Sequence, residues 1–249
     1  MPRLRRELGL DFVVVNGENA AAGFGITAKI CAELHEAGVD CITTGNHVWD
    51  QREIMPYIAQ DKRLLRPINF PPGTPGWGAN LFETARGQKI VVINVMCRLF
   101  MDALDDPFRA VDAELAKYAL GRSAHFILVD VHGEATSEKQ SMGHYCDGRV
   151  SAVLGTHSHI PTADSLGAAR RHAPIRPMSA CAATTISVIG MKKEVAVQRF
   201  IKKMPGRAPG AGRRRGHFVR GGGRNRRPDR AWPGSVRPIR LGGRLPPTD

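Results

Sequence analysis

Four short runs of strand-forming residues each end in side chains that carry lone pairs, and this recurrence limits what the chain can fold into. Asp11–Val15 is followed by Asn16, Gly17, Glu18 and Asn19. Val39–Thr43 gives way to Thr44, Gly45, Asn46 and His47, and Phe126–Val131 to His132. Ser151–Leu154 leads into Gly155, Thr156, His157, Ser158 and His159. β-Branched runs bounded by Gly and Asn read as strands. In open α/β sheets, ligands bind beyond the carboxyl ends of the strands. These residues are therefore expected to converge on one rim, although they lie up to 141 positions apart.

The segments between the runs support layers of helix and sheet. Thr27 can cap a helix that presents Ile30, Leu34 and Ala37 on one face and closes at Gly38. A second helix is expected near 50–59 and a third, after Pro107, over 108–120. Ala79–Glu83 and Lys89–Val95 read as an antiparallel hairpin across Ala85-Arg-Gly-Gln88. Alternating strands and helices with an inserted hairpin give an α/β class with mixed sheets. No internal repeat is visible.

Taken singly, each polar group has a plain structural reading: Asn-His after Gly as a turn, His132 as a satisfied core histidine, His-x-His as two rings on one strand face. Their equivalent positions at successive strand ends favour a joint site. A mixture of His, Asn and carboxylate suits a pair of divalent transition ions, whereas structural zinc takes thiolates. Glu18, with two oxygens, is suited to bridge such a pair.

Charge points elsewhere until it is located. The 249 residues carry a formal charge of +13, but twelve arginines, no lysine and two acids between Met204 and Asp249 account for +10 of it. The preceding residues are nearly balanced, so the net charge says little about their chemistry. With 42% hydrophobic residues the chain can build a core, and no apolar run reaches membrane-spanning length. The start has no secretory signal pattern. Cysteines at 31, 41, 97, 146 and 181 are odd in number and scattered, which reads as reduced thiols of a cytoplasmic protein.

The motifs NGEN (16–19), GNHVWD (45–50), VHGEATSEK (131–139) and GTHSHIPTAD (155–164) resemble those of the calcineurin-like metallophosphoesterases. The likeness is closest to their bacterial YmdB-like branch, the 2′,3′-cyclic-nucleotide 2′-phosphodiesterases. It runs from about Leu4 to Asp164 and resumes over 187–206. The resemblance implies a four-layer α/β/β/α sandwich with mixed sheets and a dinuclear centre of two divalent ions, iron or manganese. Glu18 would bridge them; Asn46, His132 and His157 would complete one shell, and His159 would bind the other ion. Asn19 would lie by the substrate phosphate, and His47 would protonate the leaving oxygen. The implied activity is hydrolysis of a small phosphodiester, a cyclic nucleotide, by hydroxide activated between the ions. Asp50 and Glu134 are placed to orient imidazoles.

The family pattern opens with a strand that ends in a metal-binding aspartate, and this sequence starts after it. The first strand is therefore expected to be missing, with Met1–Leu8 the end of the following helix. Residues 165–186 depart from the pattern, as an internal reading-frame change would make them do. The expected organisation is a phosphoesterase domain over 1–204 and a disordered Arg/Gly/Pro-rich tail over 205–249. Two other functions remain open: an impaired homologue acting as a binding protein, and RNA binding through the basic tail. No membrane partner is expected, and self-association is left open.

Overall fold

The computed structural model describes residues 1–160, together with 166–167, 174–176, 217–220, 237–240 and the single positions Val197 and Ile201. The expectations for residues 165–186 and for the 205–249 tail otherwise lie outside the described residues.

Helix α1 (Pro2–Glu7) starts on a proline and leads to β1 (Val14–Asn16). Helix α2 (Ala28–Glu36) begins where Thr27 accepts a hydrogen bond from Ile30 N at 3.2 Å. It stops at Gly38, whose φ of 91° is left-handed. Strands β2 (Cys41–Thr43) and β3 (Leu64–Leu65) flank the short α3 (Ile54–Ile58). These three strands form one parallel sheet in the order β1-β2-β3. Helix α3 is shorter than the expected 50–59, because turns occupy the residues before it.

The predicted hairpin forms from β4 (Ala79–Glu83) and β5 (Lys89–Met96), paired antiparallel. Helix α4 (Pro107–Leu115) follows, with Asp106 accepting from Phe108 N and Arg109 N. Then come β6 (Phe126–Gly133), α5 (Thr136–Tyr145) and β7 (Ala152–His157), with β5, β6 and β7 parallel. Strands β8 (Leu166–Gly167) and β9 (Pro174–Arg176) complete a six-stranded mixed sheet in the order β4-β5-β6-β7-β9-β8. Two further strands, β10 (His217–Arg220) and β11 (Arg237–Arg240), pair with each other.

Burial alternates with a period of two along the strands, and this defines the layers. On one face of the six-stranded sheet, Val91, Ile93, Val95, Ile127, Val129 and Val131 pack with Val111 and Leu115 of α4 and Met142 of α5. The other face gives Val92, Leu128 and Ala152 to a core shared with Cys41 and Leu65 of the three-stranded sheet. That smaller sheet turns Val15, Ile42 and Leu64 outward to Cys31 of α2 and Ile54 and Ile58 of α3. The layers are helix, sheet, sheet, helix, as expected. Cys31, Cys41, Cys97 and Cys146 are buried and unpaired. No described helix is long and apolar enough to cross a membrane.

The inter-sheet layer changes character along the strands. It is apolar at Cys41, Leu65, Val92, Leu128 and Ala152. Toward the carboxyl ends the same alternation delivers Asn16, Thr43, Asp130, His132 and Thr156 instead. Asp130 joins the sheets there, accepting from Thr43 Oγ1 at 2.5 Å, Thr156 Oγ1 at 2.7 Å and Asn16 Nδ2 at 3.4 Å. Burial pushes its carboxyl above the ordinary range, and the hydrogen bonds from Thr43 and Thr156 pull against that rise.

Candidate metal centre

His132 lies one residue before the end of β6 and is fully enclosed, as is Glu18 just beyond β1. His132 Nε2 lies 2.8 Å from Glu18 Oε1, 2.9 Å from Asn46 Oδ1 and 3.2 Å from His157 Nδ1. Four side chains from four strand ends thus bring one ligand atom each to a single point. The ligand atoms of Glu18, His132 and His157 lie within 4.8 Å of one another.

The surrounding hydrogen bonds set which atoms keep a lone pair. Thr156 gives its one proton to Asp130 and accepts from His132 Nδ1 at 3.0 Å. In this assignment His132 is protonated on Nδ1, and Nε2 is left bare. His157 follows the same rule: its Nε2 faces Glu134 Oε2 at 3.2 Å, leaving Nδ1 for the cluster. Burial and the neighbouring His132 hold His157 down to about 4, so it is neutral near pH 7. Burial would raise Glu18, but a second proton on His132, at Nε2, supplies a hydrogen bond and a charge that, with the His47 backbone N–H, outweigh it and keep the carboxyl below its ordinary value. Two bare nitrogens, a carboxylate oxygen and an amide oxygen crowded together repel unless a cation lies among them. This donor set suits a divalent transition ion, and each imidazole is steadied through its other nitrogen, as metal-bound histidines usually are.

The remaining predicted site residues lie beside this cluster. Asn19 Nδ2 is 3.4 Å from Glu18 Oε2 and 3.0 Å from His159 Nε2. His47 sends its backbone N–H to Glu18 Oε1 at 3.3 Å, and its Nδ1 lies 2.8 Å from Asp50 Oδ2. His157 is the last residue of β7 with a φ of 95°, and His159 has a φ of 57°. The His-x-His pair therefore does not follow strand alternation, and its two rings meet different partners. Asp130, Thr156 and Lys139 were not anticipated. The signal for Asp130 was present, as a lone carboxylate inside the apolar run Phe126–Val131.

Close approach explains Gly45. A Cβ placed there would fall 2.3 Å from Cε1 and Nε2 of His132. Gly45→Ala is expected to displace the ring and destabilise the fold by about 1–3 kcal/mol, as overpacking does. Thermal unfolding with and without Mn²⁺ checks this: the variant should melt lower and gain less from the ion than the parent. An unchanged gain would mean the ring keeps its place.

The family model described as "YmdB-like protein" matches residues 1–219. A 2′,3′-cyclic-nucleotide 2′-phosphodiesterase of Bacillus subtilis is 42% identical over 212 residues, covering 82% of this chain and 76% of the relative. A crystal structure of a hypothetical protein from Thermus thermophilus superposes with a TM-score of 0.83 at 37% identity, covering 96% of this chain and 91% of that one. A crystal structure of a novel phosphatase from Mycoplasma pneumoniae gives a TM-score of 0.74 at 28% identity, covering 87% of this chain and 77% of that one.

Proposed function

The chain belongs to the YmdB-like protein family, and from that premise we propose that it is a metal-dependent phosphodiesterase acting on 2′,3′-cyclic nucleotides. The observation that carries this reading is the convergence of Glu18, Asn46 and His157 on His132 Nε2. The substrate class comes from the Bacillus subtilis relative. The free buried thiols of Cys31, Cys41, Cys97 and Cys146, those among the described residues, suit a reducing compartment such as the cytoplasm.

Glu18, Asn46, His132 and His157 would hold one divalent ion, with His159 and the second oxygen of Glu18 available to another. Ions bound there supply charge neutralisation of the phosphodiester and a nucleophilic water near neutral pH. The protein's own groups do the rest. Asn19 carries an amide at the edge of the cluster, where it can donate to a phosphate oxygen. His47 is fixed by Asp50 through Nδ1, which leaves Nε2 as the nitrogen that can pass a proton to the departing 2′ oxygen. In the overall reaction water adds to phosphorus, the P–O2′ bond breaks, and the 2′ oxygen takes the proton.

The test measures bound metal and hydrolysis of adenosine 2′,3′-cyclic monophosphate before and after chelation. Chelation is expected to reduce turnover to background, and Mn²⁺ or Fe²⁺ to restore it with release of the 3′-nucleotide. Full turnover by metal-free protein would overturn the proposal.

A further inference from the structure

We propose that Phe24 is the platform on which the nucleobase of the substrate stacks; the inference rests on the cyclic-nucleotide reading above. Phe24 lies in the loop between β1 and α2 that also carries Glu18 and Asn19. The residue is 44% exposed. One side of its ring meets the imidazole of His47 edge-on, with centroids 5.0 Å apart and planes at 80°. His47 in turn touches Glu18 through its backbone N–H. One residue, His47, therefore links the ring to the metal cluster.

The backbone around Phe24 is built to hold that ring in place. Ala22, Gly23 and Gly25 have φ of 56°, 106° and 73°, values in the left-handed region that a non-glycine residue such as Ala22 rarely adopts. The turn is closed by Gly23 N to Asn19 O at 3.2 Å, Phe24 N to Ala21 O at 3.1 Å and Ala21 N to Gly25 O at 2.9 Å. From the loop after β2, Gln51 Nε2 donates to Phe24 O at 2.8 Å. The neighbours in sequence, Ala21, Ala22, Gly23 and Gly25, are too small to cover the ring. A loop tied at this many points presents an apolar surface to solvent beside the reacting groups. Its ordering cost is met before any ligand arrives. A planar heterocycle joined to a cyclic phosphate is the ligand chemistry that uses both features, because every base offers a face to an aromatic ring.

The experiment compares adenosine 2′,3′-cyclic monophosphate with glycerol 1,2-cyclic phosphate, the same five-membered phosphodiester without a base. Phe24→Ala is expected to raise KM for the adenosine substrate about tenfold, within the range that base stacking supplies. Because the ring also packs on His47, any change in kcat should be the same for both substrates. KM for the glycerol substrate should stay within about twofold, and Phe24→Trp should keep the parent's preference for the adenosine substrate. A second readout does not depend on turnover: calorimetric binding of adenosine 3′-monophosphate and of glycerol 2-phosphate to the metal-loaded protein. Phe24→Ala should weaken only the first. Absence of turnover in the parent counts against the proposed function, while binding still decides the role of Phe24. Equal losses on both ligands, no loss on either, or no preference of the parent for the adenosine ligand would overturn the platform.

Discussion

His132→Ala is expected to release the bound metal and to lower phosphodiesterase turnover by more than about a hundredfold. That figure is the upper end of what losing a residue that merely supports a ligand costs, and His132 occupies the centre of the cluster. Its Nε2 is the point on which Glu18, Asn46 and His157 converge. Truncation also leaves the enclosed Glu18 carboxylate without its imidazole, and uncovering one member of a buried pair costs about 3–5 kcal/mol. The metal-free variant should therefore melt well below the metal-free parent. Thr156→Val separates the two effects. It keeps the ring but removes the acceptor for Nδ1, so metal affinity should fall about 10- to 100-fold, while Glu18 keeps its imidazole partner. Metal analysis after gel filtration and thermal unfolding read both outcomes. Retention of metal by His132→Ala would show that this histidine is structural.

The strand ends were legible because their chemistry is local. Glu18, Asn46, His132 and His157 each follow a run whose composition marks a strand, and parallel order brings the carboxyl ends together. The support behind them was harder to read. Asp130 belongs to a strand buried on both faces, and only the pairing of two sheets shows that Thr43 and Asn16 reach it from the opposite layer. Helix α5 escaped notice for a different reason. Thr136–Tyr145 has no apolar stripe, and besides Met142 and Gly143 it buries Glu138 and Lys139. Glu and Lys without an apolar stripe beside them read as surface residues. Strand β3 has two residues, too few for any pattern. The placement of His157 and His159 depends on backbone angles that residue type does not forecast, since neither is a glycine.

Those angles make Lys139 the second residue whose loss should be felt strongly at the metal. Non-glycine residues in the left-handed region cost about 1–3 kcal/mol each and persist where the surroundings hold them. Lys139 reaches from α5 into this segment and is 0% exposed. Its Nζ lies 3.1 Å from Ser158 Oγ and 3.5 Å from Thr156 O, contacts on both sides of His157. Lys139→Met keeps most of the side chain's length and apolar stem but removes the donors that pin the segment. Removing one buried charge while its partners stay costs about 3–5 kcal/mol where it breaks a pair, so the melting temperature should drop. Binding is read well below it, where lost fold stability alone would leave metal affinity unchanged. Metal affinity should instead fall about 10- to 100-fold, the effect typical of losing a group that orients ligands. Turnover at saturating metal should recover to near the parent value. This split distinguishes positioning from folding, because a misfolded variant would stay inactive at every metal concentration. An unchanged dissociation constant would show that the His157–His159 backbone holds its geometry without the lysine.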